Sequence, residues 1–113
     1  GKNAMVEGNP VSGDTVVLVE DLIFDGGSKV NFIEGLRTAG LRVNHVFTVA
    51  SYALYEEYEK TLGSIDVDVA WLTDWPTIVD VAEKKGVFSS DTAAVVREFL
   101  SDPHKWSRAR GGK

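Results

Sequence analysis

The residues best suited to chemistry lie between 16 and 28, in the run Val16-Val17-Leu18-Val19-Glu20-Asp21-Leu22-Ile23-Phe24-Asp25-Gly26-Gly27-Ser28. Four apolar residues lead into two adjacent carboxylates. A short segment with two glycines and a hydroxyl residue follows, and then a helical pattern begins. A buried strand, an acidic ledge and a helix N-terminus in that order form a place for a phosphorylated sugar. Gly26 and Gly27 lack a Cβ, so the backbone there can turn tightly and approach a ligand. Free amides at a helix start, together with the positive end of its dipole, favour a phosphate. Ser28 can cap that helix or donate its hydroxyl. Vicinal hydroxyls of a ribose are natural donors to Glu20 and Asp21, and a hard cation such as Mg²⁺ can bridge such acids and a pyrophosphate, directly or through water. In a regular strand two adjacent side chains point to opposite faces; beyond a strand end that constraint relaxes, and both acids are expected to reach one ligand.

The elements that would position this motif alternate. The turn signals Gly8-Asn9-Pro10 and Ser12-Gly13-Asp14 follow a short strand expected at 3–7. Thr15 to Glu20 is a β-branched run suited to a strand buried on both faces. Ser28 to Ala39 carries Val30, Ile33, Leu36 and Ala39 at helical spacing and stops at Gly40. A second strand is expected over Arg42–Ala50, with Val43, His45, Phe47 and Val49 on one face and Val46 on the other. A second helix follows over Ala53–Leu62, and a third strand over Asp66–Leu72. Asp74 can cap a third helix that holds Pro76 in its first turn and ends near Gly86. Ser89 or Ser90 can cap a fourth, through Val95, Val96, Phe99 and Leu100, closing before Pro103. The alternation predicts an α/β fold, a mostly parallel sheet with flanking helices, in which ligands sit beyond the carboxyl ends of the strands. One domain is expected over 1–106, with 107–113 a disordered basic tail.

Composition sets the remaining bounds. The chain has 113 residues, 43% of them apolar and 26% charged, which are ordinary values for one globular domain. A net charge of −5 argues against a nucleic-acid surface, which needs clustered Lys and Arg. The absence of cysteine excludes disulfides and thiolate metal sites. Neither a signal peptide nor an apolar run of about 18 residues is visible, so a cytoplasmic protein with no membrane partner is expected.

The run from Val16 to Ser28 resembles the phosphoribosyl pyrophosphate (PRPP) binding motif of the type I phosphoribosyltransferases, and the orotate-type members in particular. The resemblance extends through the lead-in Asn3 to Gly8, Gly26-Gly27-Ser28-Lys29, the aromatic and acidic stretch Tyr52 to Leu62, and the ending Phe99-Leu100, Asp102-Pro103 and Trp106. It implies that Glu20 and Asp21 bind the ribose hydroxyls of PRPP. It also implies that Asp25, Gly26, Gly27 and Ser28 hold the 5′-phosphate, mainly through backbone amides. The implied reaction joins ribose phosphate to a base nitrogen of orotate or another base and releases pyrophosphate, with Mg²⁺ near Glu20 and Asp21 through ligand or water, in a homodimer.

Three departures stand against the family pattern. Phe24 replaces a Thr, which removes a hydroxyl donor and adds bulk beside the PRPP site. Ala50-Ser51-Tyr52 lacks the Arg that many orotate enzymes place there. The family enzyme is about twice as long, so the chain reads as a carboxyl-terminal half beginning just after a mobile basic loop, with Lys2 as its remnant, binding PRPP weakly and catalysing nothing alone. A PRPP-sensing regulatory module that has lost catalysis is the competing reading. A phosphorelay receiver is a third, but it needs an acceptor Asp at the end of a later strand, and Thr48 to Ser51 offers no carboxylate.

His45 on its apolar face reads as structural and His104 as solvated. Tyr52, Tyr55 and Tyr58 read as packing or subunit contacts, Trp75 as packing or a base-pocket wall, and Lys29 as a phosphate contact or an exposed helix lysine.

Overall fold

A β-branched run beside a helix stripe can bury both only by folding one onto the other, and the chain does this first. The computed structural model describes residues 8–112, so the strand expected at 3–7 and Lys2 lie outside the described residues. Two compact units follow one another, one ending at Leu72 and the other beginning at Thr73.

In the first unit, strand β1 (Thr15–Ile23), helix α1 (Gly27–Thr38), strand β2 (Arg42–Ser51), helix α2 (Tyr55–Lys60) and a 3₁₀ turn (Gly63–Ile65) lead to strand β3 (Asp68–Asp74). The sheet order is β1-β2-β3, and β1 pairs with β2 in parallel. Val30, Ile33 and Leu36 of α1 lie on the sheet as their spacing predicts. Ile33 is fully buried among Leu18, Ile23, Val43, Val46, Tyr58, Leu62 and Val67. Helix α1 stops as expected at Gly40, whose φ is +89°. The Gly40 N–H donates to the Arg37 carbonyl and the Leu41 N–H to the Leu36 carbonyl, the paired bonds of a Schellman cap. Arg37 then ties the helix end to its neighbours, donating to the carbonyls of Val43 (2.6 Å) and Ile65 (2.9 Å).

Three strand expectations change. Strand β1 runs three residues past Glu20, to Ile23, because Leu22 and Ile23 keep pairing with Ala50 and Ser51. It is buried on one face only: Val17 and Val19 are 52% and 66% exposed. In β2 the register passes from Val16↔Val43 to Val17↔His45. Asn44 is therefore an extra residue, a bulge that reverses the side-chain alternation. Val43 and Val46 both point to the core, while His45 faces solvent with Nδ1 3.8 Å from Asp68 Oδ2. Val43 thus leaves the face expected for it and joins Val46, while His45, Phe47 and Val49 stay on one face, which is open to solvent. Strand β3 begins at Asp68, because Asp66 takes a left-handed conformation (φ +57°) that closes the 3₁₀ turn. The second helix is likewise shorter than its pattern, with Ala53 at φ +58° holding the chain out of helix before Tyr55.

The second unit contains α3 (Trp75–Lys84), α4 (Ser90–Ser101) and α5 (Pro103–Arg108). The predicted caps form: Asp74 accepts from the Thr77 amide and Ser89 from the Thr92 amide. Helix α5 was not anticipated, because Pro103 reads locally as a stop. It is also a good first helical residue, and Asp102 caps the new helix through the Lys105 amide at 2.8 Å. Arg97 of α4 reaches Asp80 and Glu83 of α3, each at 2.7 Å. The hydrogen bond from Arg97 holds the Glu83 carboxyl below its ordinary value, with Ser90 helping.

Two outcomes follow from these contacts. Gly40→Ala puts a Cβ at positive φ and 2.7 Å from Ser12 Oγ, and it is expected to cost about 1–3 kcal/mol, read from thermal or urea denaturation. Arg97→Met is expected to move the Glu83 titration back up towards the ordinary carboxyl range in an NMR pH series. A depressed carboxyl stabilises above its unfolded pKa and loses that contribution as pH falls through the folded one, so the variant is expected to lose part of its acid-limb dependence.

Candidate functional site

The carboxyl end of β1 and the first turn of α1 are joined by Phe24, Asp25 and Gly26, and each of these is held from outside the motif. Gly26 is the N-cap of α1 at φ +80°, ψ −8°. A Cβ there would lie 2.9 Å from Thr61 Oγ1 and 3.2 Å from the side chain of Leu62. Only glycine meets both the left-handed dihedral and the close approach. Thr61 latches the loop: its hydroxyl lies 2.8 Å from the Asp25 carbonyl and 2.7 Å from the Glu57 carbonyl. It carries one proton, so it serves one of them at a time or shares it between the two. Tyr58 braces the strand end. Its hydroxyl shares a 2.8 Å hydrogen bond with the buried Ser51 Oγ and reaches the Ile23 carbonyl at 3.4 Å. Neither Thr61 nor Tyr58 was singled out for the site from sequence, because their partners lie far away along the chain.

The helix start has the amide geometry expected of an anion site, with one position already taken. The Gly27 N–H donates to Asp25 Oδ1 at 2.9 Å, and the Lys29 N–H donates to the Gly26 carbonyl at 3.0 Å. Of the four amides that a helix start leaves over, those of Gly26 and Ser28 remain. Ser28 is exposed, and its side chain makes no cap hydrogen bond. The capping role given to Ser28 therefore passes to Gly26 and the Asp25 carboxylate, because the helix begins one residue earlier than its pattern. Asp25 occupies the Gly27 amide as an anion would, so a phosphate that uses this amide must displace a carboxylate.

Glu20 and Asp21 lie inside β1, so the strand constraint on adjacent side chains holds and they diverge. Glu20 shares the covered face with Leu18, and its Oε1 lies 2.9 Å from Lys29 Nζ on α1. Lys29 is thus neither free for phosphate nor a plain surface lysine; it neutralises Glu20. Asp21 is exposed and follows Val17 and Val19 along the other face. The two acids flank the same strand end rather than converging. Among the described residues no group of three or more His, Cys, Asp or Glu side chains could hold a metal ion.

Phe24 is half-buried and packs edge-on against Tyr52, with ring centroids 4.9 Å apart and planes at 89°. The aromatic ring at the family's Thr position thus ties the β1–α1 loop to the segment after β2. Tyr55 and Tyr58 meet Trp71 at 5.5 Å and 6.0 Å, which makes them packing residues. Trp75 opens α3 and is half-buried. The end of β2 carries Ser51 and no carboxylate, as the sequence indicated, so the acceptor of a phosphorelay receiver is missing there.

Gly26 and Gly27 separate the loop's own shape from ligand access. Gly26→Ala is expected to destabilise by about 2–4 kcal/mol, from strain and overpacking together. Gly27 has ordinary dihedrals, and its added Cβ would meet the Asp25 carboxyl group at ordinary contact distance, with Oδ1 at 3.4 Å. Gly27→Ala is therefore expected to shift stability by less than about 1 kcal/mol, and denaturation of both variants checks the pair.

No family model matches the chain. The orotate phosphoribosyltransferase of Roseobacter denitrificans is 38% identical over 109 residues, which cover 96% of this chain and 48% of the relative. That of Agrobacterium fabrum is 36% identical over 112 residues, covering 99% and 48%. The chain thus spans about half the length of the curated relatives it matches. Among solved structures, Leishmania donovani UMP synthase superposes with a TM-score of 0.78 at 30% identity, over 87% of this chain and 22% of that one. Orotate phosphoribosyltransferase from Aeropyrum pernix superposes with a TM-score of 0.58 at 30% identity, over 71% and 45%. No described helix is long and apolar enough to cross a membrane. By sequence and by fold, the chain belongs to the type I phosphoribosyltransferase family and corresponds to the carboxyl-terminal half of its orotate-type members.

Proposed function

We propose that the chain is the PRPP-binding portion of an orotate phosphoribosyltransferase, with residues 1–106 forming the carboxyl-terminal part of its catalytic domain. The whole enzyme would join orotate to PRPP, giving orotidine 5′-phosphate and pyrophosphate in pyrimidine nucleotide synthesis. The observation that carries this reading is the latched Gly26 turn at the carboxyl end of a parallel strand, in a chain whose relatives bear that name over nearly its full length.

We assign the roles in this reading as follows. The amides of Gly26 and Ser28 face an incoming 5′-phosphate, and that of Gly27 joins them once the Asp25 carboxylate swings away. Asp21, exposed at the strand end, accepts from ribose hydroxyls. Glu20 does so after sharing its charge with Lys29, or acts by holding Lys29 in place. Phe24 offers no hydroxyl to the phosphate and forms an apolar wall with Tyr52. In the whole enzyme a base nitrogen bonds to the ribose C1 as the C1–oxygen bond to pyrophosphate breaks. Positioning and electrostatics lower that barrier. A magnesium ion brought with the pyrophosphate would be held from the side of Asp21, because the two acids diverge and Glu20 is already paired with Lys29. Such an ion would neutralise pyrophosphate charge. The whole enzyme is proposed to be a cytoplasmic homodimer that binds neither nucleic acid nor membrane, and this chain alone is proposed to bind PRPP weakly and to catalyse nothing.

A second reading, a PRPP-sensing module without catalysis, is favoured by one observation: Phe24 stands where the family places a hydroxyl. Calorimetric titration with PRPP and Mg²⁺ tests the site common to both readings. Asp21→Asn is expected to weaken binding by roughly tenfold or more, the value of a lost charge-assisted hydrogen bond. Equal binding by parent and variant would remove Asp21 from the site. Orotidine 5′-phosphate formation by a full-length enzyme carrying Phe24 separates the enzyme from the sensor.

A further inference from the structure

The Asp25–Gly26 peptide is a planar trans unit, so its carbonyl and its N–H point in opposite directions and cannot be aimed separately. The Thr61 hydroxyl lies 2.8 Å from that carbonyl. The Glu57 carbonyl is a second acceptor at 2.7 Å, but it already receives the Thr61 N–H at 2.9 Å. The hydroxyl proton therefore has more to do at Asp25 than at Glu57. A carbonyl drawn towards Thr61 sends the Gly26 N–H the opposite way. Glycine does not make this choice by itself, because it takes positive and negative φ about equally readily. Turning the plane over would return Gly26 from φ +80° to negative φ with no side chain to oppose it. The bonds on the following plane do not prevent this, since they are local: the Gly26 carbonyl accepts from the Lys29 N–H, and the Gly27 N–H donates to Asp25 Oδ1. At the end of α2, Tyr58 and Thr61 stand three residues apart, the spacing of side chains on one helix face. Their hydroxyls reach the carbonyls of Ile23 at 3.4 Å and Asp25 at 2.8 Å. The short helix thus grips the backbone at two alternate carbonyls where β1 turns into α1.

We propose that Thr61 is a positioning residue for phosphate binding: its hydroxyl holds the Asp25–Gly26 plane so that the Gly26 N–H is turned away from Thr61 and kept for the 5′-phosphate. Thr61 does not touch the phosphate. It acts through one peptide unit, from a position 36 residues along the chain. This role rests on the reading of residues 25–28 as the 5′-phosphate site. An amide aimed before the ligand arrives need not be turned at the moment of binding, so the latch is felt as affinity. The effect belongs to the phosphate end of the ligand, and ribose 5-phosphate is enough to reveal it.

The test is NMR titration of the chain with ribose 5-phosphate, for the parent, Thr61→Val and Thr61→Ser. The first variant keeps the branched shape and removes the hydroxyl; the second keeps the hydroxyl. Before ligand is added, the Overhauser effect between the Asp25 Hα and the Gly26 amide reports the setting of the plane. It is expected to match in the parent and Thr61→Ser and to change in Thr61→Val. On titration, Thr61→Val is expected to bind about fivefold or more weakly, the worth of one hydrogen bond, and Thr61→Ser to stay within about twofold of the parent. Should Thr61→Val not fold, Thr61→Ala removes the same hydroxyl and takes its place. An unchanged plane, an unchanged affinity, or an equal loss in Thr61→Ser would each overturn the proposal. A parent whose Gly26 and Ser28 amides ignore ribose 5-phosphate would count against the proposed function, and the comparison of planes would still decide whether Thr61 sets the turn.

Discussion

The close approach of Thr61 and Leu62 to Gly26 is the constraint on which the rest of this site depends. A left-handed N-cap with no room for a side chain turns the chain from β1 into α1 within three residues. The Thr61 hydroxyl holds the Asp25 carbonyl from a segment 36 residues away. Local sequence supplies a turn that glycine permits; the contact from the end of α2 selects one conformation of it. An anion site made of backbone amides has this requirement, because amides that must be organised at the moment of binding forfeit part of the binding energy. Phe24 adds to the same bracing through Tyr52. That edge-on contact stiffens the loop from its other side.

The second organising feature is the divergence of Glu20 and Asp21. Because β1 continues to Ile23, the pleat sends one acid to the helix-covered face, where Lys29 meets it, and the other to the open face. The inner carboxylate is paired with Lys29, and the outer one has no ion-pair partner among the described residues. Asp21 thus stands on the exposed side of the strand, next in line after Val17 and Val19.

Much of the architecture was legible in the order of residues. The helix stripe Val30, Ile33, Leu36, the stop at Gly40, and the caps at Asp74 and Ser89 are local signals with local causes, and all of them appear as read. The errors share a cause of a different kind. Strand β1 was ended too soon because carboxylates interrupt an apolar run, whereas ladder pairing with β2 carries the strand onward. Val43 leaves the face expected for it, beside His45, Phe47 and Val49, because the bulge at Asn44 is a property of two paired strands and leaves no mark in either one alone. Helix α5 was missed because Pro103 ends one helix and begins the next, and only the Asp102 cap reveals the second role.

For the site, the residue types and their spacing were enough to name the glycine turn, the acids and the family. Those depend on which backbone shapes and charges each residue allows. Tertiary structure alone decided that the Gly27 amide is already held by Asp25, that Glu20 is paired with Lys29 while Asp21 has no ion-pair partner among the described residues, and that Thr61 and Tyr58 brace the turn. Each of these depends on the distance between groups that the chain order separates or on the face to which a pleat turns them. A one-dimensional pattern carries such information only after strands have been paired and helices laid against them.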